Sequence, residues 1–244
     1  MAVEWHTGLV EAWLDLPEGA DARAYPYGLP AVRALAERPL AFHPRMTLLV
    51  GENGSGKSTL LEAVAVALGF NPEGGSRNFN FATRASHSSL HEVLRIARRG
   101  AVSRGFFFRA ESFFNVATEI ERLGVEEYYG RTPLHEMSHG EAFLTLVQER
   151  FQAPGLYLLD EPEAALSPAR QLTVLAELVR LADAGCQFVV ATHSPILMAF
   201  PDAWIYECGP DGLGRVDYGD TAHVQIMAAF LAHPERTLRH LLEP

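Results

Sequence analysis

Residues 51–59, Gly-Glu-Asn-Gly-Ser-Gly-Lys-Ser-Thr, constrain the fold more than any other stretch of this chain. They match the pattern G-x-x-x-x-G-K-[ST], which joins a buried strand to a helix and wraps phosphate groups. The flanks agree, because residues 45–50 form an apolar run and residues 57–68 carry apolar side chains at helical spacing. The alternative is a glycine turn with a surface lysine. We predict a phosphate-binding loop.

The chemistry of this loop assigns roles to its residues. Glycines let the backbone turn its N–H groups toward an anion, and the amino end of the next helix adds positive potential. Lys57 is the only lysine among 20 Lys and Arg residues. We predict that it reaches the β- and γ-phosphates of ATP and acts in catalysis, and that Ser58 places its hydroxyl on Mg²⁺. The predicted nucleotide contacts are Gly51, Glu52, Asn53, Gly54, Ser55, Gly56, Lys57, Ser58 and Thr59.

Two acids directly follow a second apolar run, residues 156–159. In a parallel sheet the carboxyl ends of the strands face the ligand crevice. Asp160 is therefore predicted to hold Mg²⁺, and Glu161 to orient or deprotonate the attacking water. Helix capping is the alternative for this pair. We interpret Glu163 as a solvated or partner-facing acid.

A histidine, His193, follows a third apolar run, residues 187–191. The chain has 10 histidines, and a structural role is the alternative for any one of them. Its position after a buried strand predicts a catalytic role, through contact with the γ-phosphate or with the attacking water.

Apolar runs alternate with helical patterns along the chain, which predicts an α/β fold with a mainly parallel central sheet flanked by helices. Ser167 and Pro168 are typical of a helix start. Other predicted elements are a short helix at 31–37, a helix at 90–98, a strand at 105–109, a helix at 111–123, a helix at 141–151 and edge strands at 204–207 and 215–218.

Together with residues 138–141, these motifs resemble the ATP-binding cassette (ABC) type of P-loop ATPase. Ser138, His139, Gly140 and Glu141 resemble the family signature LSGGQ at the start of a helix. Alone, this motif is equally read as a helix cap. The resemblance covers roughly residues 45–206. It implies a P-loop NTPase fold of the ABC type, one domain over 1–244, with a helical and signature arm at 71–140.

The resemblance also implies an ATP-dependent homodimer, in which the signature of one copy closes over the nucleotide of the other. His139 and Glu141 depart from the family glycine and glutamine. No glutamine follows the strand at 105–109, so Glu111 is a candidate substitute that contacts the metal. Tyr25, Tyr27 and Phe42 are candidates for the adenine contact, with a core role as the alternative for each.

The order of the motifs is similar to that of small stand-alone AAA-family or RecF-like ATPases. The resulting hypothesis is an ATPase that closes as a nucleotide-sandwich dimer and couples closure to a protein partner or nucleic acid. Two alternatives stay open. One is the ATPase subunit of a transporter, and the other is a nucleotide-dependent scaffold with negligible turnover.

The charge of the chain limits its partners. A formal net charge of −10 argues against general nucleic-acid binding, which needs surplus positive charge. The segment between Arg77 and Arg109 is the exception, with seven arginines and one acid. It is either a solvated helix face or a site for a polyanion or acidic partner.

Composition also bears on location. No apolar run approaches the roughly 20 residues that cross a bilayer, and the start of the chain does not resemble a signal peptide. The two cysteines do not indicate a disulfide framework. We therefore expect a cytoplasmic protein without membrane insertion.

Overall fold

A computed structural model describes residues 8–77, 88–101, 104–124, 135, 137–210 and 212–242. The strands are β1 Gly8–Leu14, β2 Leu40–Ala41, β3 Met46–Gly51, β4 Leu94–Arg99, β5 Gly105–Arg109, β6 Gly155–Asp160, β7 Cys186–Ala191, β8 Trp204–Gly209 and β9 Gly212–Val216. The helices are α1 Pro30–Glu37, α2 Lys57–Ala67, α3 Leu90–Val93, α4 Phe113–Arg122, α5 His139–Arg150, α6 Pro168–Asp183, α7 Pro195–Met198, α8 Ala222–Ala232 and α9 Pro234–Leu242.

Six strands form the main sheet, in the order β5–β6–β7–β3–β8–β9. All neighbours are parallel except β8 and β9, which are antiparallel. The three central strands β6, β7 and β3 are almost entirely buried, as parallel strands covered on both faces must be. The predicted α/β fold with a mainly parallel sheet is confirmed.

The pleat of the sheet sends alternate side chains to two separate cores. On β3, Leu48 and Val50 pack into a core with α4, α5 and α6, whereas Leu49 packs into a core with α1 and α2. On β7, Val190 and Val189 divide between the same two cores. This period of two explains why these runs are apolar at every position.

A second, three-stranded antiparallel sheet has the order β2–β1–β4. The predicted helix at 90–98 is wrong, because α3 ends at Val93 and the chain continues as β4. Ile96 on β4 pairs with Ala12 on β1, and Ala12 is fully buried. The pairing with a distant strand overrode the local helical pattern.

The predicted edge strands at 204–207 and 215–218 are corrected in two respects. The first, β8, is an inner strand that pairs in parallel with β3, while only β9 lies at the edge. The second runs from Gly212 to Val216. Polar residues such as Glu207 gave β8 the alternation of an edge strand, and its partner on β3 lies far away in sequence.

The segment 71–140 contributes to both sheets through β4 and β5, and it carries α4. Residues 78–87, 102–103, 125–134 and 136 of this segment lie outside the described part of the chain. At the carboxyl end, α8 and α9 contain no buried residue. Among the described helices, none is long and apolar enough to cross a membrane.

Candidate functional site

The predicted phosphate-binding loop joins β3 to α2, as expected from the sequence. Gly54 and Gly56 adopt left-handed backbone angles, with φ of 79° and 96°. These angles favour glycine, and they fold the loop around the Lys57 side chain. Lys57 is 4% exposed, and its Nζ donates to the carbonyl oxygens of Gly51 at 2.7 Å and Glu52 at 2.9 Å. Burial lowers the pKa of Lys57. A polyanion at the loop would add the negative charge that a buried ammonium lacks.

Ser58 and Asp160 meet at the carboxyl end of β6. The Ser58 hydroxyl donates to Asp160 Oδ1 at 2.9 Å. Asp160 is 6% exposed, and burial raises its pKa to about 6, although the Ser58 bond and Arg109 oppose that rise. A carboxylate whose ionisation is disfavoured by burial is stabilised by a cation.

These two oxygen donors fit Mg²⁺ bound together with a nucleotide. Within the described ranges, no group of three or more His, Cys, Asp or Glu residues is arranged to hold a metal. Mg²⁺ typically takes one or two protein oxygens and completes its shell with phosphates and water. Ser58 and Asp160 supply donors of that type and number.

Arg109 ends β5 beside Asp160 and is a site residue that sequence reasoning missed. It is paired in register with Asp160, and its Nε lies 3.6 Å from Asp160 Oδ2. Its Nη1 donates to Glu62 Oε2 on α2 at 2.6 Å, and its Nη2 to Glu111 Oε1 at 3.2 Å. The signal in the sequence that could have identified Arg109 was its charge at the end of the predicted strand 105–109. The exposed carboxylate of Glu111, the candidate metal contact, is thus paired with Arg109.

Glu161 and His193 lie on neighbouring strand ends. Glu161 has a left-handed φ of 50°, which is uncommon for a non-glycine residue and costs about 1–3 kcal/mol. Its N–H donates to the carbonyl of Ala191 at 2.9 Å, which fixes the turn after β6 to the end of β7. The strained turn places Glu161 Oε1 at 3.6 Å from His193 Nε2. Backbone strain of this kind occurs frequently at functional sites.

Glu163 is not the solvated acid that the sequence suggested. Its Oε1 accepts a hydrogen bond from the His193 backbone N–H at 2.6 Å. Burial raises the pKa of Glu163, and hydrogen bonds from His193 and Thr192 oppose the rise. The Glu163 carboxylate therefore holds the backbone that follows β7 and carries the His193 side chain. Local sequence could not show this, because the partner N–H, that of His193, lies 30 residues further along the chain.

A second histidine completes this edge of the sheet and was not predicted. Nε2 of His223, in the first turn of α8, lies 3.0 Å from Nδ1 of His193. Burial is the largest cause that lowers the pKa of His193, followed by the nearby Lys57 ammonium.

The signature-like residues begin α5 as a capping box. The Ser138 hydroxyl accepts from the Glu141 N–H at 3.3 Å, and Glu141 Oε2 accepts from the Ser138 N–H at 3.2 Å. Arg170 on α6 donates to Ser138 Oγ and to Glu141 Oε1. Ser138, His139 and Glu141 are exposed. Gly140 is buried, and a Cβ there would lie 2.6 Å from the Ala165 carbonyl oxygen.

The three candidates for an adenine contact differ in exposure. Tyr25 is 71% exposed, whereas Phe42 is 5% exposed and Tyr27 packs against the core beside α2. The segment that follows Tyr25 reaches the phosphate-binding loop, because the Ala31 N–H donates to the Ser55 carbonyl at 3.0 Å. Among the three, Tyr25 is the side chain with a free face.

A glycine loop joins strand β3 to helix α2, and an acid stands at the end of β6, one strand removed from β3 in the same parallel sheet. This arrangement defines a P-loop NTPase. Comparison with known proteins agrees. Residues 30–130 match the profile of an AAA domain family. Residues 95–199 match a second AAA domain profile, whose description extends to a type IV toxin–antitoxin system.

Curated relatives point to one type within the P-loop NTPases. The chain is 28% identical over 223 residues to an ABC transporter ATP-binding/permease protein of Mycobacterium tuberculosis, covering 79% of this chain and 25% of that protein. It is 35% identical over 169 residues to the hemin import ATP-binding protein of Streptomyces coelicolor, covering 62% and 60%. These similarities support an ABC-type P-loop ATPase.

The extent of these likenesses differs. The chain spans 25%, 25% and 36% of the lengths of the first three curated relatives that it matches. Among solved structures, the SMC head domain of Thermotoga maritima matches with a TM-score of 0.47 and 18% identity, covering 86% of this chain and 98% of that one.

Proposed function

We propose that this chain binds ATP with Mg²⁺ at the edge formed by β3, β6 and β7, and hydrolyses it to ADP and phosphate. The observation that supports this most is that residues distant in sequence come together at one site. Lys57, Ser58, Asp160, Glu161 and His193 come from three separate stretches of sequence. At the carboxyl end of the sheet, Ser58 contacts Asp160 and Glu161 lies beside His193.

Each of these residues has a distinct task in binding. Lys57 leaves the loop carbonyls and donates to the β- and γ-phosphates, while the loop N–H groups hold the remaining oxygens. Ser58 and Asp160 would hold Mg²⁺, which neutralises charge on the phosphates when bound. Arg109 holds the Asp160 carboxylate in place through an ion pair and is itself anchored by Glu62.

Hydrolysis then needs a general base for the attacking water and a hydrogen-bond donor for the γ-phosphate. Glu161 accepts a proton from a water molecule whose oxygen attacks the γ-phosphorus, and the bond to the bridging oxygen breaks to release ADP. His193 Nε2 donates to a γ-phosphate oxygen. The 3.6 Å between Glu161 Oε1 and His193 Nε2 brings both groups to the same reacting centre.

The working form in this proposal is a homodimer. Ser138, His139, Gly140 and Glu141 of one copy cover the γ-phosphate held by the other. The exposure of Ser138, His139 and Glu141 supports this, because the amino end of a helix suits an anion. Residues 1–244 act as one domain, with 71–140 as its signature-bearing arm. Glu111 is a further metal contact only if it leaves Arg109.

Phosphate release tests the central proposal. The wild type is expected to release phosphate from ATP only when Mg²⁺ is present, and faster than Glu161→Gln does under the same conditions. A wild type no faster than this variant would contradict hydrolysis. It would favour the alternative of a nucleotide-dependent scaffold with negligible turnover.

A transporter subunit is the second alternative, since the matched relatives are described as import and permease components. A subunit of that kind binds a membrane protein through a coupling surface. Purification of the tagged chain from solubilised membranes, with quantitative mass spectrometry, separates the two functions. Stoichiometric recovery of one integral membrane protein would support the transporter alternative.

We also propose that a polyanion such as nucleic acid binds near the start of β5. The predicted basic segment does not form one helix face. Arg109 points into the candidate catalytic site, and Arg95 pairs with Asp15 at 3.2 Å. Arg77 and Arg104 instead line a cavity of about 150 Å³ together with Arg150. This cavity concentrates positive charge in an otherwise acidic chain.

DNA binding should therefore weaken steeply with salt, because each phosphate contact releases counterions. Fluorescence anisotropy with a short DNA duplex at several salt concentrations measures the slope. Arg104→Glu is expected to lower the affinity, whereas the same charge change at Arg236→Glu on α9 is not. Binding that is absent, or that does not respond to salt, would remove nucleic acid from the candidate partners.

A further inference from the structure

The contact between His193 and His223 determines which ring nitrogen of His193 carries the proton that a nucleotide could accept. Nδ1 of His193 and Nε2 of His223 are 3.0 Å apart, with ring centroids at 5.2 Å and planes at 57°. At this distance one nitrogen donates a proton to the other. A neutral imidazole carries a single N–H, so the direction of this bond also sets the state of the other nitrogen of each ring.

The two directions have unequal consequences. If His193 Nδ1 donates, its Nε2 is left with a lone pair facing Glu161 Oε1 at 3.6 Å, and the two acceptors repel. In a neutral His223 the proton then sits on Nδ1, which is buried and has no hydrogen-bond partner among the described residues. If His223 Nε2 donates instead, His193 carries its proton on Nε2, toward Glu161. His193 Nε2 is also buried without a hydrogen-bond partner among the described residues, but in this direction its N–H faces the Glu161 carboxylate and the two groups attract each other.

We propose that His223 donates its Nε2–H to Nδ1 of His193 and thereby holds His193 as an Nε2–H donor toward the γ-phosphate. His223 is then a positioning residue that acts through His193. This inference rests on the proposed function, since the γ-phosphate is the group that receives the donor. Second partners of this kind fix the tautomer and the orientation of a functional histidine.

The start of α8 is anchored so that His223 keeps this position. Thr221 is fully buried, and its Oγ1 accepts from the Val224 N–H at 3.4 Å. The Ala222 N–H donates to Glu207 Oε1 at 2.9 Å. Glu207 lies on β8, which pairs with β3, the strand that enters the phosphate-binding loop. His223 is therefore fixed to the same sheet as the loop.

The contact also connects the site to a different part of the molecule. Beyond its first turn, α8 continues into α9 with only half-buried and exposed residues, among them Ile226, Leu231 and Leu241 at 68%, 69% and 72% exposure. His223 is the residue of α8 that contacts His193, so this hydrogen bond joins the outer helix to the site.

Steady-state ATP hydrolysis by three variants tests the proposal. His223→Leu removes the donor and is expected to lower kcat by about 10-fold to 100-fold with KM for ATP nearly unchanged, because ground-state binding is kept. His223→Gln keeps an amide N–H near the position of Nε2 and should recover most of kcat. His240→Leu, on the exposed face of α9, is the matched control and should match the wild type. Equal loss in the Leu and Gln variants, or loss in neither, overturns the proposal.

Nuclear magnetic resonance of ¹⁵N-histidine provides a readout that needs no turnover. The wild type should show His193 as the Nε2–H tautomer, and His223→Leu should shift it toward Nδ1–H. An Nδ1–H tautomer in the wild type overturns the inference. A wild type that fails to hydrolyse ATP contradicts the proposed function instead, and the tautomer measurement still tests the hydrogen bond between the two histidines.

Discussion

Glu161→Gln is expected to convert the chain into a stable dimer whenever ATP and Mg²⁺ are present. The amide accepts no proton from the attacking water, so the γ-phosphate stays intact. In the proposed sandwich, the γ-phosphate is what joins the loop of one copy to Ser138 and Gly140 of the other. Turnover should fall by about 100-fold to 10,000-fold, the usual contribution of a general base.

The mass in solution, measured by light scattering with and without Mg-ATP, gives the result. ADP should leave the variant monomeric, because it lacks the γ-phosphate. Glu18→Gln is a matched control, since it makes the same chemical change at an exposed loop position. A monomer in both conditions would mean that Ser138 and Glu141 serve only as the helix cap that the structure shows. In that case the working assembly needs another protein.

Lys57→Ala is expected to weaken ATP binding by about 100-fold, close to the upper end for loss of a charged hydrogen bond. The ammonium is buried and is held by two carbonyls of its own loop, so it is already placed where the phosphates would lie. Isothermal titration with Mg-ATP measures the change in Kd. An unchanged Kd would contradict the assignment of residues 51–59 as the phosphate-binding loop.

Two comparisons separate lost binding from lost folding. Lys57→Arg keeps the charge but places a planar guanidinium where a compact ammonium fits between the carbonyls of Gly51 and Glu52, and it should also bind ATP weakly. Circular dichroism without nucleotide should be the same for both variants and the wild type. If only the Ala variant lost affinity, a positive charge alone would be sufficient at this position.

Local sequence was sufficient for the parts of the site that are built from contiguous residues. The loop from Gly51 to Thr59 needs glycines at left-handed angles and a lysine near its end, and these residues lie within one short stretch of sequence. The acids Asp160 and Glu161, and His193, follow buried strands, so the geometry of a parallel sheet places them at one edge. The fold class followed from the same alternation of strands and helices.

Tertiary structure alone decided the contacts between distant residues. Arg109 joined Asp160 and Glu62 only through the pairing of β5 with β6, although the sequence placed it in a basic segment. Glu163 turned inward to the end of β7, and His223 reached His193 from a helix 30 residues further along the chain. Strand β4 replaced a predicted helix for the same reason, because its partner β1 lies far away in sequence. Local patterns record periodicity and backbone preference, whereas these contacts depend on which distant surfaces the packed sheet brings together.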